Sequence, residues 1–259
     1  MSDKAPSSKK VWRRFSSSKA QRPAASAVAT PKRRKVLNRI VENDSIRRLS
    51  HEQYQDKVRR VYGGPKGAML DTFSRISGHL QFGERLLRKR RFDLAGCRDI
   101  LDVGSGMGQI LGHLMKYADQ EARLTGIDLS SKMLRRAQRK LRSTRPRLMA
   151  ADLAHLPFAD GAFDCVTCGY VLEHLPDPRP GLSELARVMR PGGRMLLFTT
   201  EDNFTGAWTS RLWACCTYNR RELLALCDQL GLSLRQELWF SPMHKALRAG
   251  GICVELVRK

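Results

Sequence analysis

No stretch of about 18 consecutive apolar residues occurs in the 259-residue chain, so a membrane-spanning helix is not expected. The first thirty residues lack the apolar core of a secretory signal, and secretion is not expected either. Acidic residues are nearly missing from the N-terminal forty. Asp3 is the only one, set among Ser, Ala, Pro, Lys and Arg, with Trp12 and Phe15 the main large apolar side chains. Such a segment buries too little surface to offset the entropy of ordering it, and residues 1–40 read as a disordered basic tail. Charge alone leaves four roles open for it: a solvated leader, a contact for anionic membrane or RNA, a nuclear import signal at Pro31-Lys32-Arg33-Arg34-Lys35, or an organellar transit peptide.

Cysteine is too sparse for a disulfide framework. The seven, at positions 97, 165, 168, 215, 216, 227 and 253, are odd in number and scattered through apolar contexts. They read as reduced thiols in a cytoplasmic setting. Cys165 and Cys168 share a C-x-x-C spacing, but Phe163 to Cys168 reads as a strand, where residues three apart point to opposite faces; a zinc or redox pair is not expected. Two phosphate-binding loops are also lacking. There is no G-x-x-x-x-G-K-[ST], and the dinucleotide pattern G-x-G-x-x-G fails because position 109 is Gln109.

What is present suffices for a folded body. Hydrophobic residues make up 42% and charged residues 28%, enough for an ordinary buried core. The surplus of positive charge sits mostly outside that body: residues 1–96 hold 24 Lys and Arg against 8 Asp and Glu, the remaining 163 hold 23 against 17. In residues 41–96 apolar positions such as Ile46, Leu49, Val58 and Val61, then Met69, Leu70, Phe73, Ile76, Leu80, Leu86 and Leu87, recur near helical spacing, interrupted by Tyr62-Gly63-Gly64-Pro65. This predicts a helical N-terminal cap. Its basic end, Arg85 to Arg91, reads as a solvated helix terminus or a basic lip at an entrance.

From Cys97 onward strand and helix alternate, with strands at Asp99–Val103, Arg123–Asp128, Leu148–Ala151, Ala162–Cys168 and Arg194–Thr200. The helices between them are expected at Gln109–Ala118, Ser131 to about Leu141 with Ser130 as its cap, and Gly181–Met189, ended by Pro191-Gly192-Gly193. That alternation implies an α/β, doubly wound parallel sheet. A helix over 219–230 and two strands, 233–240 and 251–257, joined without an obvious helix, predict an antiparallel close.

Asp102-Val103-Gly104-Ser105-Gly106-Met107-Gly108 joins a predicted strand to a predicted helix, where glycines let a ligand approach the backbone. Asp128 ends the next strand, where a carboxylate can accept from both hydroxyls of a ribose, and Asp152 ends the third. Strand ends of a parallel sheet share one crevice, so the three acids are expected to converge there. They suit a cationic adenosine derivative and would repel a pyrophosphate.

These residues, with Asp128 to Leu134, Ala151 to Asp164 and Arg187 to Gly193, resemble the class I S-adenosylmethionine-dependent methyltransferases, and more narrowly the branch of ubiquinone/menaquinone C-methyltransferases and small-molecule and lipid methyltransferases. The resemblance implies a Rossmann-like seven-stranded sheet, mostly parallel with an antiparallel C-terminal strand, over residues 97–259, and a lid formed by 41–96 and the aromatic stretch 204–218. It implies that Gly104 and Gly106 hold the methionine part of S-adenosylmethionine with Asp102 near its ammonium. Asp128 would take the ribose, Leu129 and Met133 would pack on the adenine, Asp152 and Leu153 would meet its amino group and ring, and Gly169 would pass beside the sulfonium. A general base is needed only if the acceptor starts as a hydroxyl or an acidic carbon. Glu173 and His174 are the nearest His/carboxylate pair, with a structural turn as the alternative reading, and Tyr62 could reach over the cofactor from the cap. The expected acceptor is a small molecule or lipid-like compound; an RNA or protein substrate, or a binding protein without catalysis, are the competing readings.

Overall fold

The computed structural model describes residues 46–69, 79–239, 241–247 and 251–259. The basic tail expected over 1–40 and the helical positions Leu70, Phe73 and Ile76 lie outside these. The described chain runs α1 (His51–Gly63), α2 (Pro65–Ala68), α3 (His79–Arg88), β1 (Asp99–Val103), α4 (Gln109–Tyr117), β2 (Arg123–Asp128), α5 (Ser131–Leu141), β3 (Arg147–Ala150) and β4 (Phe163–Gly169). It continues through a 3₁₀ turn (Leu172–His174), α6 (Pro178–Val188), β5 (Met189–Thr199), α7 (Phe204–Trp213), α8 (Arg220–Gln229), β6 (Leu232–Glu237), α9 (Pro242–Leu247) and β7 (Ile252–Arg258).

One sheet holds all seven strands in the order β3-β2-β1-β4-β5-β7-β6. β1 to β5 pair in parallel, while β7 runs antiparallel to both β5 and β6. The expected doubly wound sheet with an antiparallel C-terminal strand is present. Strand order reverses between β1 and β4, and a parallel sheet opens a crevice above such a point. Two apolar clusters fill the two faces. Val103, Val166, Cys168 and Leu197 belong to one, Ile100, Cys165, Leu196 and Phe198 to the other. Cys165 and Cys168 thus point to opposite faces, as the two-residue strand period requires, and all seven cysteines are free and buried.

The N-terminal helices divide their duties. Phe82, Leu86 and Leu87 from α3, with Phe92 and Leu94, pack into the core with Leu111 and Leu114 of α4. The charges that follow, Arg88 to Arg91, are exposed, which makes this a solvated helix end. Helix α1 begins in a reciprocal capping box between Ser50 and Gln53. Its end is held by Arg136 of α5, whose guanidinium donates to the carbonyls of Tyr62 and Gly64 at 3.1 and 3.4 Å.

Several boundaries differ from the sequence expectation, and β5 begins at Met189, five residues before Arg194, so that Pro191-Gly192-Gly193 lies inside the strand. Helix α6 starts three residues early, because Pro178 at the first helical position costs no hydrogen bond and Asp177 accepts from the Arg179 amide at 2.9 Å. A six-residue helix, α9, stands between β6 and β7, where none was expected; it is too short to show an apolar period. Among the described residues no helix is long and apolar enough to cross a membrane.

Candidate functional site

The loop after β1 is a tight bend with Gly104, Gly106 and Gly108 at φ +71°, +52° and +78°, a region costly for residues with a Cβ. A Cβ on Gly104 would also lie 2.0 Å from the Val171 side chain. The bend is tied to β2: the Ser105 amide donates to the Ile127 carbonyl at 2.8 Å, and the Gly106 amide to Asp128 Oδ2 at 2.9 Å. The other oxygen, Oδ1, accepts from the Ser130 amide at 2.8 Å. Burial pushes the Asp128 carboxyl up, and these two amides oppose the shift.

Above this bend lies a cleft of about 1490 Å³ including its open mouth. Its inner end is walled by Gly104, Gly106, Asp128, Leu129, Met133 and Leu153, its outer end by Tyr62, Glu173, His174, Thr209, Trp213 and Cys215, with Gly169 and Tyr170 between. The three acids do not share it equally. Asp128 is in the wall. Asp102 is 1% exposed behind the bend, where Thr167 Oγ1 donates to its Oδ1 at 2.6 Å and Oδ2 has no hydrogen-bond partner among the described residues. Burial chiefly raises its pKa to about 6, with the Asp128 charge adding to the rise. Asp152 accepts from Gln55 and pairs with His51 of α1, both at 2.7 Å.

The outer end is assembled from distant segments. The Tyr62 hydroxyl lies 2.7 Å from His174 Nε2, and its ring stacks on Trp213 at 5.9 Å and 2°. Burial keeps Tyr62 protonated and holds His174 neutral, with its pKa lowered to about 4. Glu173, also buried, accepts from Thr199 and Thr200 hydroxyls at 2.9 and 2.8 Å; desolvation outweighs these bonds and lifts its pKa to about 7. In α7, Thr209 and Trp213 face the cleft, while Trp208 and Leu212, also four apart, face solvent. Tyr218 is core, donating to the Leu172 carbonyl at 2.7 Å. The lid stretch thus splits between cleft, surface and interior. Tyr54 was missed by sequence reasoning, although Tyr54, Val58 and Tyr62 make a row at four-residue spacing along α1 and all three wall the cleft.

Residues 101–197 match the family model described as a methyltransferase domain. Fold, glycine bend and match together make the body of the chain a class I S-adenosylmethionine-dependent methyltransferase domain. Within that class its sequence is similar to ubiquinone/menaquinone C-methyltransferases. It is 36% identical over 156 residues to the ubiquinone/menaquinone biosynthesis C-methyltransferase UbiE of Desulfotalea psychrophila, covering 56% of this chain and 63% of that one. It is 31% identical over 169 residues to an uncharacterized 37.1 kDa protein in transposon TN4556 of Streptomyces fradiae, covering 65% and 46%. The chain therefore spans about half to three-fifths of the length of the curated relatives it matches. Among solved structures, magnesium protoporphyrin IX methyltransferase (ChlM) from Synechocystis PCC 6803 with bound SAH shares the fold, at TM-score 0.58 and 22% identity over 79% of this chain and 94% of that one.

Proposed function

We propose that the protein transfers a methyl group from S-adenosylmethionine to a small-molecule or lipid-like acceptor. One observation carries this reading: a single cleft is lined both by the glycine bend with Asp128, Leu129 and Met133, suited to adenosine, and by the aromatic Tyr62 and Trp213, with Gly169 also in its wall. The residues present fit the cofactor. A carboxylate has about four acceptor positions; two on Asp128 are taken by backbone amides, leaving two for ribose hydroxyls. Leu129, Met133 and Leu153 supply apolar surface for the adenine, and the bare backbone of Gly104 and Gly106 a seat for the methionine part. The buried, half-satisfied carboxylate of Asp102 favours the ammonium end from behind the bend. Asp152 contributes through the flanking Ala151 and Leu153, which line the wall.

The bound cofactor supplies a methyl group on a sulfonium, itself a good leaving group, so the protein's task is chiefly alignment and exclusion of water. Tyr62 and Trp213 form an apolar face against which an acceptor lies. The Tyr62–His174 pair, one protonated and one neutral, fixes its polar edge without introducing charge. Glu173, half ionised near neutrality, takes the proton when the acceptor is a hydroxyl or an acidic carbon. The names of the curated relatives favour a quinone-type ring as such an acceptor. The free thiols favour a cytoplasmic setting, and the basic N-terminal region favours contact with an anionic membrane surface.

Calorimetry with S-adenosylmethionine tests the core of the proposal. Asp128→Ala removes two acceptors of ribose hydroxyls and is expected to weaken binding by about 10- to 100-fold, since hydrogen bonds to charged groups contribute about 1.5–3 kcal/mol. Unchanged affinity would overturn the ribose assignment. Labelled methyl donor offered with lipid extracts, quinone precursors and bulk RNA identifies the acceptor, and label confined to RNA would replace the small-molecule reading.

A further inference from the structure

We infer that His51, Asp152 and His155 form a binding site for a divalent transition-metal ion of the zinc type, pinning helix α1 to the turn after β3. The three side chains offer two imidazole nitrogens and a carboxylate oxygen, all within 4.8 Å of one another. His51 Nε2 lies 2.7 Å from Asp152 Oδ2, and the His51 and His155 rings stand edge to face at 5.3 Å. Two nitrogens and one carboxylate, with room for a solvent ligand, is a donor set that zinc accepts in tetrahedral geometry.

The site is preorganised from both sides. Asp152 and His155 sit on a tight turn closed by the His155 amide donating to the Asp152 carbonyl at 3.0 Å. The Ala154 amide occupies Asp152 Oδ1 at 3.0 Å, so Oδ2 is the oxygen left for the histidines. His51 opens α1, whose start is set by the Ser50 capping box. A simple His51–Asp152 ion pair accounts for two of the three groups; it gives no role to His155, brought edge-on to the same point. The Gln55 amide, 3.1 Å from His51 Nε2 and 2.7 Å from Asp152 Oδ2, would swing aside or turn its oxygen inward. An ion here would fasten Tyr54 of α1 over Ala151 and Leu153, which flank Asp152 in the cleft wall.

Ion binding is measurable apart from methyl transfer. The untagged full-length chain, stripped with EDTA, is titrated with Zn²⁺, and with Co²⁺ while visible absorption is followed. We expect one ion per chain, a four-coordinate Co²⁺ spectrum, and a Tm rise of about 5–10 °C at a hundredfold excess over Kd. Both effects are expected to vanish in His51→Ala and in His155→Ala. Both side chains are exposed, so the Tm of each variant in EDTA should stay within about 2 °C of the parent. Absence of saturable binding below millimolar Zn²⁺, or binding undiminished in both variants, overturns the assignment.

Discussion

Glu173 and His174 are neighbours whose titrations oppose each other. Burial raises Glu173 from 4.5 to about 7, so the folded chain holds a proton that the unfolded chain has lost, and stability falls as pH rises through that window. Burial lowers His174 from 6.5 to about 4, so the unfolded chain holds the extra proton, and stability falls as pH drops through that window. Between about pH 4.5 and 6.5 the two cancel. Glu173→Gln should therefore tilt a plot of unfolding free energy against pH upward by about 1.4 kcal/mol per unit there, and His174→Gln downward by the same amount. Denaturant titrations at several pH values check both signs. In the enzymatic reading, the Glu173→Gln variant also loses a rate limb that rises through about pH 7, while His174, neutral throughout, leaves its midpoint unmoved. The sequence brought this pair to notice through spacing after β4. It could not reveal that burial reverses the usual protonation preferences, because the hydroxyls of Thr199 and Thr200 and the Tyr62 ring arrive from elsewhere in the chain.

Among the elements, the glycine bend and helix α1 make contrasting demands. Gly104→Ala combines a left-handed backbone with a methyl group 2.0 Å from Val171, a clash that needs the loop to move. It is expected to cost about 2 kcal/mol or more in urea unfolding and to weaken cofactor binding. Tyr62→Phe removes one hydroxyl from the outer end alone. Methyl transfer should fall while affinity for S-adenosylmethionine measured by calorimetry stays within about twofold; an equal loss of both would place Tyr62 on the cofactor instead. The elements of the sheet were legible because each repeats a local period over enough residues. Arg123–Asp128 and Ser131–Leu141 coincide with their expected spans. Asp102 and Asp152 were legible as acids at or near strand tips, but their hydrogen-bond partners were not, since Thr167, His51 and Gln55 arrive from 65, 101 and 97 residues away. Helix α9 and the early start of α6 escaped for local reasons, a length below one clear period and two prolines that resemble a break.

For the whole molecule, charge is the dominant property: +22 overall, most of it ahead of the methyltransferase domain. If the N-terminal region meets an anionic surface, sedimentation with phosphatidylserine vesicles should capture the full chain at low salt, fall steeply toward 0.5 M salt, and be lost on deleting residues 1–45. Capture by neutral vesicles, or retention after the deletion, would refute the electrostatic contact.

Tyr54, Val58 and Tyr62 belong to a helix that lies wholly ahead of the matched residues 101–197, and Trp213 to one that lies wholly behind them. In the proposed reading, donor chemistry and acceptor choice are therefore written in separate stretches of one chain. Grafting 51–63 and 204–213 from a homologue of known preference should carry that preference across while leaving the methyl-donor seat as it is.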